Sequence, residues 1–304
     1  MDSELRAMFQ SLTIPVIAAP MTRVSGPELV IAACRAGVIG SFPAHNARSS
    51  EELELWLTQI EAQRQTAQAD GLQPGPQAVN IVMRRKDRLA GDVALVIKHR
   101  VPLVIASVGS PAAIIPPLHD AGVRVFADVA NMRHVEKCLE TGVDGLVLLT
   151  AGAGGNTGWV NPFAFVRAVR AIYDGPIVLA GGIGDGVALR AAIALGCDLA
   201  FMGTMFIATK ESRADPEYKR ALVEASMDQV EARLGPEGLT ANILRDTSFS
   251  AGHTVSGVRD LLSVADLVAR LKREWDIGRQ ALSLGDQDER LALGTAGSRS
   301  SPTV

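Results

Sequence analysis

Residues 177–204 read IVLAGGIGDGVALRAAIALGCDLAFMGT, and this stretch decides the fold. Two short apolar runs, IVLA at 177–180 and LAFM at 199–202, each lead into glycine. They are continuous rather than alternating, as strands buried on both faces must be. Between them, residues 185–195 have helical spacing and close on Gly196, a natural C-cap. Strand, helix, strand in this order is the unit of a parallel sheet.

Six further runs of the same kind lie upstream. They are PVIAA at 15–19, VIGS at 38–41, AVNIV at 78–82, LVIA at 103–106, VRVFA at 123–127 and GLVLL at 145–149. Segments with helical spacing separate them: 27–36 after Ser25, 51–67 after Ser49 and Ser50, 111–121 and 162–171. The last two each carry proline in the first turn, where its missing N–H costs nothing. Eight β and α units in alternation predict an α/β protein, a (β/α)8 TIM barrel, with an open doubly wound sheet as the competing arrangement. Residues 213–250, rich in charge and helix formers, read as a helical insertion after strand eight, packed over the barrel mouth. A last helix at 262–282 completes the barrel. The domain thus spans 1–284, and the Gly-, Ser- and Thr-rich residues 285–304 read as a loose tail.

Composition narrows the function. The 304 residues are 47% hydrophobic and carry a net charge of −3, which excludes a disordered chain and argues against a nucleic-acid footprint or a basic membrane patch. No stretch approaches 18 uninterrupted apolar residues, and MDSELRAMFQ lacks the layout of a signal peptide. Cys34, Cys138 and Cys197 have no CxxC spacing, which fits a reducing compartment and no metal site. A cytoplasmic protein is expected. A barrel of this length can be a monomer or a homodimer through its outer helices.

In this fold the site lies at the C-terminal ends of the strands. After strand seven come Gly181 and Gly182, opening a helix; after strand eight come Gly203 and Thr204. Paired glycine turns at these two strands suit a phosphate, since backbone N–H groups at a helix start favour an anion. After strand six, TAGAGGNTGW at 150–159 holds four glycines in a nine-residue window, which suits backbone lying flat against a planar ligand. After strand one, Ala19, Pro20 and Met21 form a stiff turn with a polarisable side chain. Asn80 is a polar residue in an apolar run, either a satisfied buried amide or a hydrogen-bonding partner of a heterocycle.

Taken together, AAPM, the VN of strand three, AGAGGNTG, AGGI and MGT followed by Phe206 resemble the nitronate monooxygenase family, over about residues 10–275. The resemblance implies an FMN-dependent (β/α)8 barrel, in a group that also includes flavin-type enoyl reductases, quinone reductases and acyl-CoA-directed oxidoreductases. It implies that Ala19, Pro20 and Met21 pass beneath the isoalloxazine, that Asn80 bonds its edge, and that Gly154 and Gly155 line the far side. Gly181, Gly182, Gly203 and Thr204 would hold the phosphate. Two positions depart from the family pattern. Asn156 stands where the family commonly has a histidine base, and an amide cannot take a proton near neutral pH. Asp128 stands where a flavin-contacting lysine is common, and a carboxylate there would oppose the anionic reduced flavin.

His45, in PAHNARS after strand two, and His253, in SAGHT at 250–254, are the other candidate proton carriers. His99, His119 and His134 read as solvated residues of outer helices, and Arg23 as a surface residue or a partner for an anionic substrate. The expected activity is oxidation of alkyl nitronates with O2 to a carbonyl product and nitrite, for which no base is needed. The rival is NAD(P)H-dependent reduction of an enone, quinone or acyl-CoA substrate, without a Rossmann unit for the nicotinamide. A third reading is a flavin- or phosphate-ligand binding protein without catalysis.

Overall fold

The computed structural model describes residues 2–235 and 238–284. Eight parallel strands close into a barrel: β1 (Val16–Ala18), β2 (Ile39–Pro43), β3 (Gln77–Val82), β4 (Leu103–Ser107), β5 (Arg124–Val129), β6 (Gly145–Leu149), β8 (Ile177–Ala180) and β9 (Leu199–Met202). A two-residue strand, β7 (Gly155–Asn156), lies outside the barrel in the loop after β6. All eight apolar runs are strands. β1 closes the ring by pairing Ile17 with Ile39 on one side and with Phe201 on the other.

Alternation along the strands makes two apolar layers. One set faces the barrel axis, including Ile17, Ile39, Ala78, Ile105, Phe126, Val147 and Val178. The other, including Val79, Val104, Val125, Leu146 and Leu179, packs against the surrounding helices. Phe126 fills the axis because Gly145 beside it has no side chain; a Cβ there would stand 2.6 Å from the ring.

The N-terminal end of the barrel is stopped by a helix that the sequence reading did not identify, Ser3–Gln10, capped by Asp2. Its Leu5, Met8 and Phe9 join the axial layer, and Phe9 meets Phe126 edge-on at 6.5 Å. Two turns are too short for a clear periodic signal. The segment at 111–121 also differs: its α-helix is Ile115–Asp120, preceded by turns. The helix at 185–195 is as expected, with Asp185 as N-cap and Gly196 left-handed at φ 119°.

Among the described residues the insertion is α-helical only at Pro216–Glu224, with a short 3-10 helix at Met227–Gln229. It then forms a hairpin, β10 (Val230–Leu234) and β11 (Thr240–Leu244), whose outer edge accepts β7 to make an antiparallel sheet ordered β10-β11-β7. Val230, Ala232 and Leu234 alternate with Glu231 and Arg233, a period of two carried by residues that also favour helices. The last helix runs Val264–Leu284. The expected tail, 285–304, lies outside the described residues. Among the described residues no helix is long and apolar enough to cross a membrane, and no cluster of metal-ligating side chains occurs.

Candidate active site

The glycines after β8 have different surroundings. Gly181 is left-handed at φ 111°, and a Cβ on it would stand 2.7 Å from Thr150 Oγ1 and 2.9 Å from the Ala153 nitrogen. Gly182, at φ 78°, is exposed, and a Cβ on it would meet nothing within 4 Å. Packing therefore requires the first glycine, while the second leaves open space at the turn after β8. The start of helix Gly186–Leu195 itself is already taken, Gly186 N–H donating to Glu274 Oε2 at 2.9 Å and Ala188 N–H to Asp185 Oδ1 at 2.7 Å, so room for an anion lies at the glycine turn and not at the helix start. After β9, Gly203 precedes the short helix Thr204–Ile207, and the Thr204 hydroxyl accepts the Gly252 N–H at 2.9 Å.

The turn after β1 meets this cradle. Ala19 N–H donates to Met202 O at 3.0 Å, and a Cβ on Gly203 would lie 3.6 Å from Met21 Sδ and 3.8 Å from the Ala19 Cβ. Pro20 and Met21 are half-buried. The turn is held by Asn46, a residue not singled out from the sequence. Its Nδ2 donates to Met21 O (2.9 Å) and Ser25 O (2.8 Å), and its Oδ1 accepts the N–H of Arg23, which is left-handed at φ 64°.

His45 lies beside this turn, with Nε2 3.2 Å from Thr22 Oγ1 and a buried Nδ1 that has no partner. Burial, then Arg85 and Arg88, pull its pKa down to about 4, so the ring is neutral through the neutral range. His99 is less solvated than expected, with its side chain 16% exposed beside Glu54. His119 pairs with Asp144, and His134 is exposed.

Asn80 and Asp128 both face the axis at the mouth end of their strands, in register with Ala78 and Phe126. Asn80, 6% exposed, donates through Nδ2 to Ile105 O (2.8 Å) and Ser107 Oγ (2.9 Å). Its amide is thus fixed in the wall, and its oxygen remains an acceptor for a ligand. Asp128 Oδ1 is sealed from solvent with no hydrogen-bond partner, and burial pushes the carboxyl up to about 7.

The loop after β6 is packed backbone to backbone. A Cβ on Gly154 would stand 2.6 Å from the Gly252 nitrogen, and one on Gly152 would stand 2.9 Å from His253 Nδ1. His253 is exposed, and its N–H donates to Gly152 O at 3.0 Å. Gly155 and Asn156 pair with Asn242 and Ala241. Asn242, buried and also missed in the sequence, donates to Ala153 O at 2.7 Å. Asn156 itself is exposed.

The site residues therefore fall into neighbouring groups around one mouth. Ala19, Met21 and Gly203 lie together, with Thr204 next in the chain bonded to Gly252; Gly181 abuts the β6 loop that carries Gly154, Gly155 and Asn156; Asn80 and Asp128 share the axial face. His45 sits behind the β1 turn.

A closed parallel barrel with glycine turns after its last two strands and polar groups on the axis defines a (β/α)8 barrel with a candidate ligand site at its mouth. The sequence profile described as nitronate monooxygenase matches residues 3–245. A nitronate monooxygenase of Paraburkholderia phytofirmans is 30% identical over 258 residues, covering 72% of this chain and 70% of that protein. The chain belongs to the nitronate monooxygenase family, whose members are flavin-dependent oxidoreductases. A Rhodococcus jostii protein, (3aS,4S,5R,7aS)-5-hydroxy-7a-methyl-1-oxo-octahydro-1H-indene-4-carboxyl-CoA dehydrogenase, is 26% identical, covering 85% of this chain and 70% of its own. Among solved structures, FabK from Thermotoga maritima superposes with TM-score 0.82 at 22% identity, covering 93% of this chain and 99% of that one. Nitroalkane oxidase from Streptomyces ansochromogenes gives 0.81 at 22%, covering 90% and 99%. At these identities the two structures speak for the fold.

Proposed function

We propose that the protein is an FMN-dependent oxidoreductase that oxidises alkyl nitronates with O2 to a carbonyl product and nitrite. The observation that carries this reading is the amide of Asn156, in a glycine loop of this family, where a base would be needed for a neutral nitroalkane. A nitronate arrives already deprotonated, so a site without a base there suits it.

The residues present fit FMN. Gly182 leaves open space for the phosphate at the turn after β8, beside Gly181, and Gly203 and Thr204 form the corresponding turn after β9. Ala19, Pro20 and Met21 supply a firm surface beneath the ring, Asn80 an acceptor oxygen at its edge, and Gly154 and Gly155 a side-chain-free wall. Bound FMN supplies the electron acceptor. Exposed His253 and neutral His45 are the candidate proton carriers beside it.

The test is anaerobic addition of a simple alkyl nitronate to the FMN-loaded protein. Loss of the oxidised-flavin absorbance within seconds is expected, with a neutral nitroalkane reacting far more slowly. An unchanged spectrum overturns the reading.

The second reading, NAD(P)H-dependent reduction of an enone, quinone or acyl-CoA substrate, is favoured by the similarity to the Rhodococcus indene-4-carboxyl-CoA dehydrogenase, whose name carries a CoA thioester. Rapid bleaching by NADH or NADPH, but not by nitronate, would select it. Both readings concern the barrel of residues 1–284, as a monomer or a homodimer.

A further inference from the structure

Four consecutive strands place a polar side chain on the axial face near the mouth: Ser41 on β2, Asn80 on β3, Ser107 on β4 and Asp128 on β5. Three of them have partners within the wall. Ser41 donates to Ala18 O, and Asn80 donates to Ser107 Oγ and Ile105 O. Asp128 has none: its Oδ1 is buried without a donor.

No lysine, arginine or histidine shifts this carboxyl; burial alone acts on it. Its register partner on β6 is Val147, and the polar groups across β4 and β3 are the uncharged Ser107 and Asn80. From the helix Met132–Leu139, the Cys138 thiol is the titratable group that senses its charge. Asp128 is half-buried, with Oδ1 sealed from solvent, and a carboxylate with an oxygen so placed is costlier than the neutral acid. The neutral acid, in turn, carries an O–H for which no hydrogen bond among the described residues supplies an acceptor. An acceptor at the mouth would complete it.

We infer that Asp128 is held as a neutral carboxylic acid and donates its proton in a hydrogen bond to an acceptor on the pyrimidine edge of bound FMN. The inference rests on the FMN reading above. It resolves the conflict between a carboxylate and a ring that becomes anionic on reduction, because a neutral donor stabilises that charge instead of repelling it. The same residue then makes cofactor binding sensitive to pH, since ionisation of Asp128 replaces a donor with a buried negative charge.

The experiment is titration of the apoprotein with FMN between pH 6 and 8.5, followed by quenching of flavin fluorescence. Wild-type affinity should fall about tenfold or more across this range as the acid ionises against the bound ring, one unit of pKa displacement corresponding to tenfold. Asp128→Asn keeps a neutral donor, so its affinity should stay level relative to wild type. Asp128→Leu keeps the volume and removes the donor, and should bind about tenfold more weakly than Asp128→Asn at pH 6. Riboflavin, which has no phosphate to titrate, should show the same wild-type loss above pH 7. This last profile decides the matter even if neither variant folds.

Parallel wild-type and Asp128→Asn profiles, or a riboflavin profile without the loss, overturn the role of Asp128 while leaving the FMN reading standing. Absence of flavin binding at every pH overturns the FMN reading and this inference with it.

Discussion

From β2 to β5 the barrel mouth is lined by side chains, Ser41, Asn80, Ser107 and Asp128, whereas from β6 to β9 it is lined by backbone, at Gly152, Gly154, Gly155, Gly181, Gly182 and Gly203. The first half offers hydrogen-bonding groups whose chemistry can be exchanged at nearly constant volume. The second offers N–H groups and close approach, and there the addition of a single carbon is the critical change. In the side-chain half, then, chemistry matters more than bulk, and in the glycine half bulk matters more than chemistry.

The strongest way to break this division is to put a titrating group into the glycine half. Asn156→His restores a base, and turnover of a neutral nitroalkane should rise about 10²–10⁴-fold while nitronate turnover stays within a few-fold. Steady-state rates on the two substrates check it; equal rises on both would show that position 156 acts other than as a base.

Two adjacent glycines sharpen the contrast. Gly181→Ala forces a Cβ against Thr150 and Ala153 at a left-handed residue, and should cost on the order of 3 kcal/mol in urea unfolding. Gly182→Ala meets only open space and should cost about 1 kcal/mol, the price of its left-handed backbone, yet still weaken FMN binding. Equal losses of stability would remove the distinction between packed and open glycine.

The β2–β5 side holds two half-buried titrating groups with opposite effects on stability. His45 has a folded pKa of about 4, below its unfolded value, so the unfolded chain binds more protons between about 4 and 6.5 and stability rises with pH there. Asp128, raised to about 7, reverses the sign: the folded chain holds the extra proton, and stability falls as pH rises from about 4 to 7. The two slopes nearly cancel in the wild type. Urea unfolding from pH 4 to 7.5 should show a rising slope in Asp128→Asn and a falling one in His45→Gln, each on the order of 3 kcal/mol over the window. Flat profiles in both variants would mean that neither group is shifted by folding.

Asn80→Ala should cost about 1–3 kcal/mol of stability from two lost hydrogen bonds, with Ser107 Oγ left unpaired. Thermal denaturation of the apoprotein measures it.

What the sequence made legible follows the same division. The eight apolar runs, most of them continuous, and the glycines at strand ends are local signals, and the runs Ile177–Ala180 and Leu199–Met202 match the strands residue for residue. The hairpin of β10 and β11 was hidden because Val230–Leu234 is written in Glu, Ala, Arg and Leu, and its sheet is completed by Gly155 and Asn156 from a distant loop. The anchoring role of Asn46, the burial of Asn242 and the unpartnered state of Asp128 depend on neighbours that the chain brings up from elsewhere. No local pattern marks them.

The pairing of β1 with both β2 and β9 has a consequence for how the protein comes into being. Strand Val16–Ala18 is made well before its second neighbour, Leu199–Met202, which follows about 180 residues later. Until then the growing sheet has two bare parallel edges, β1 and whichever strand was last synthesised, each able to pair with another nascent chain. Truncations that end before Leu199 should therefore be recovered as aggregates, and chains that extend through Met202 and its supporting helices should be the first to stay soluble.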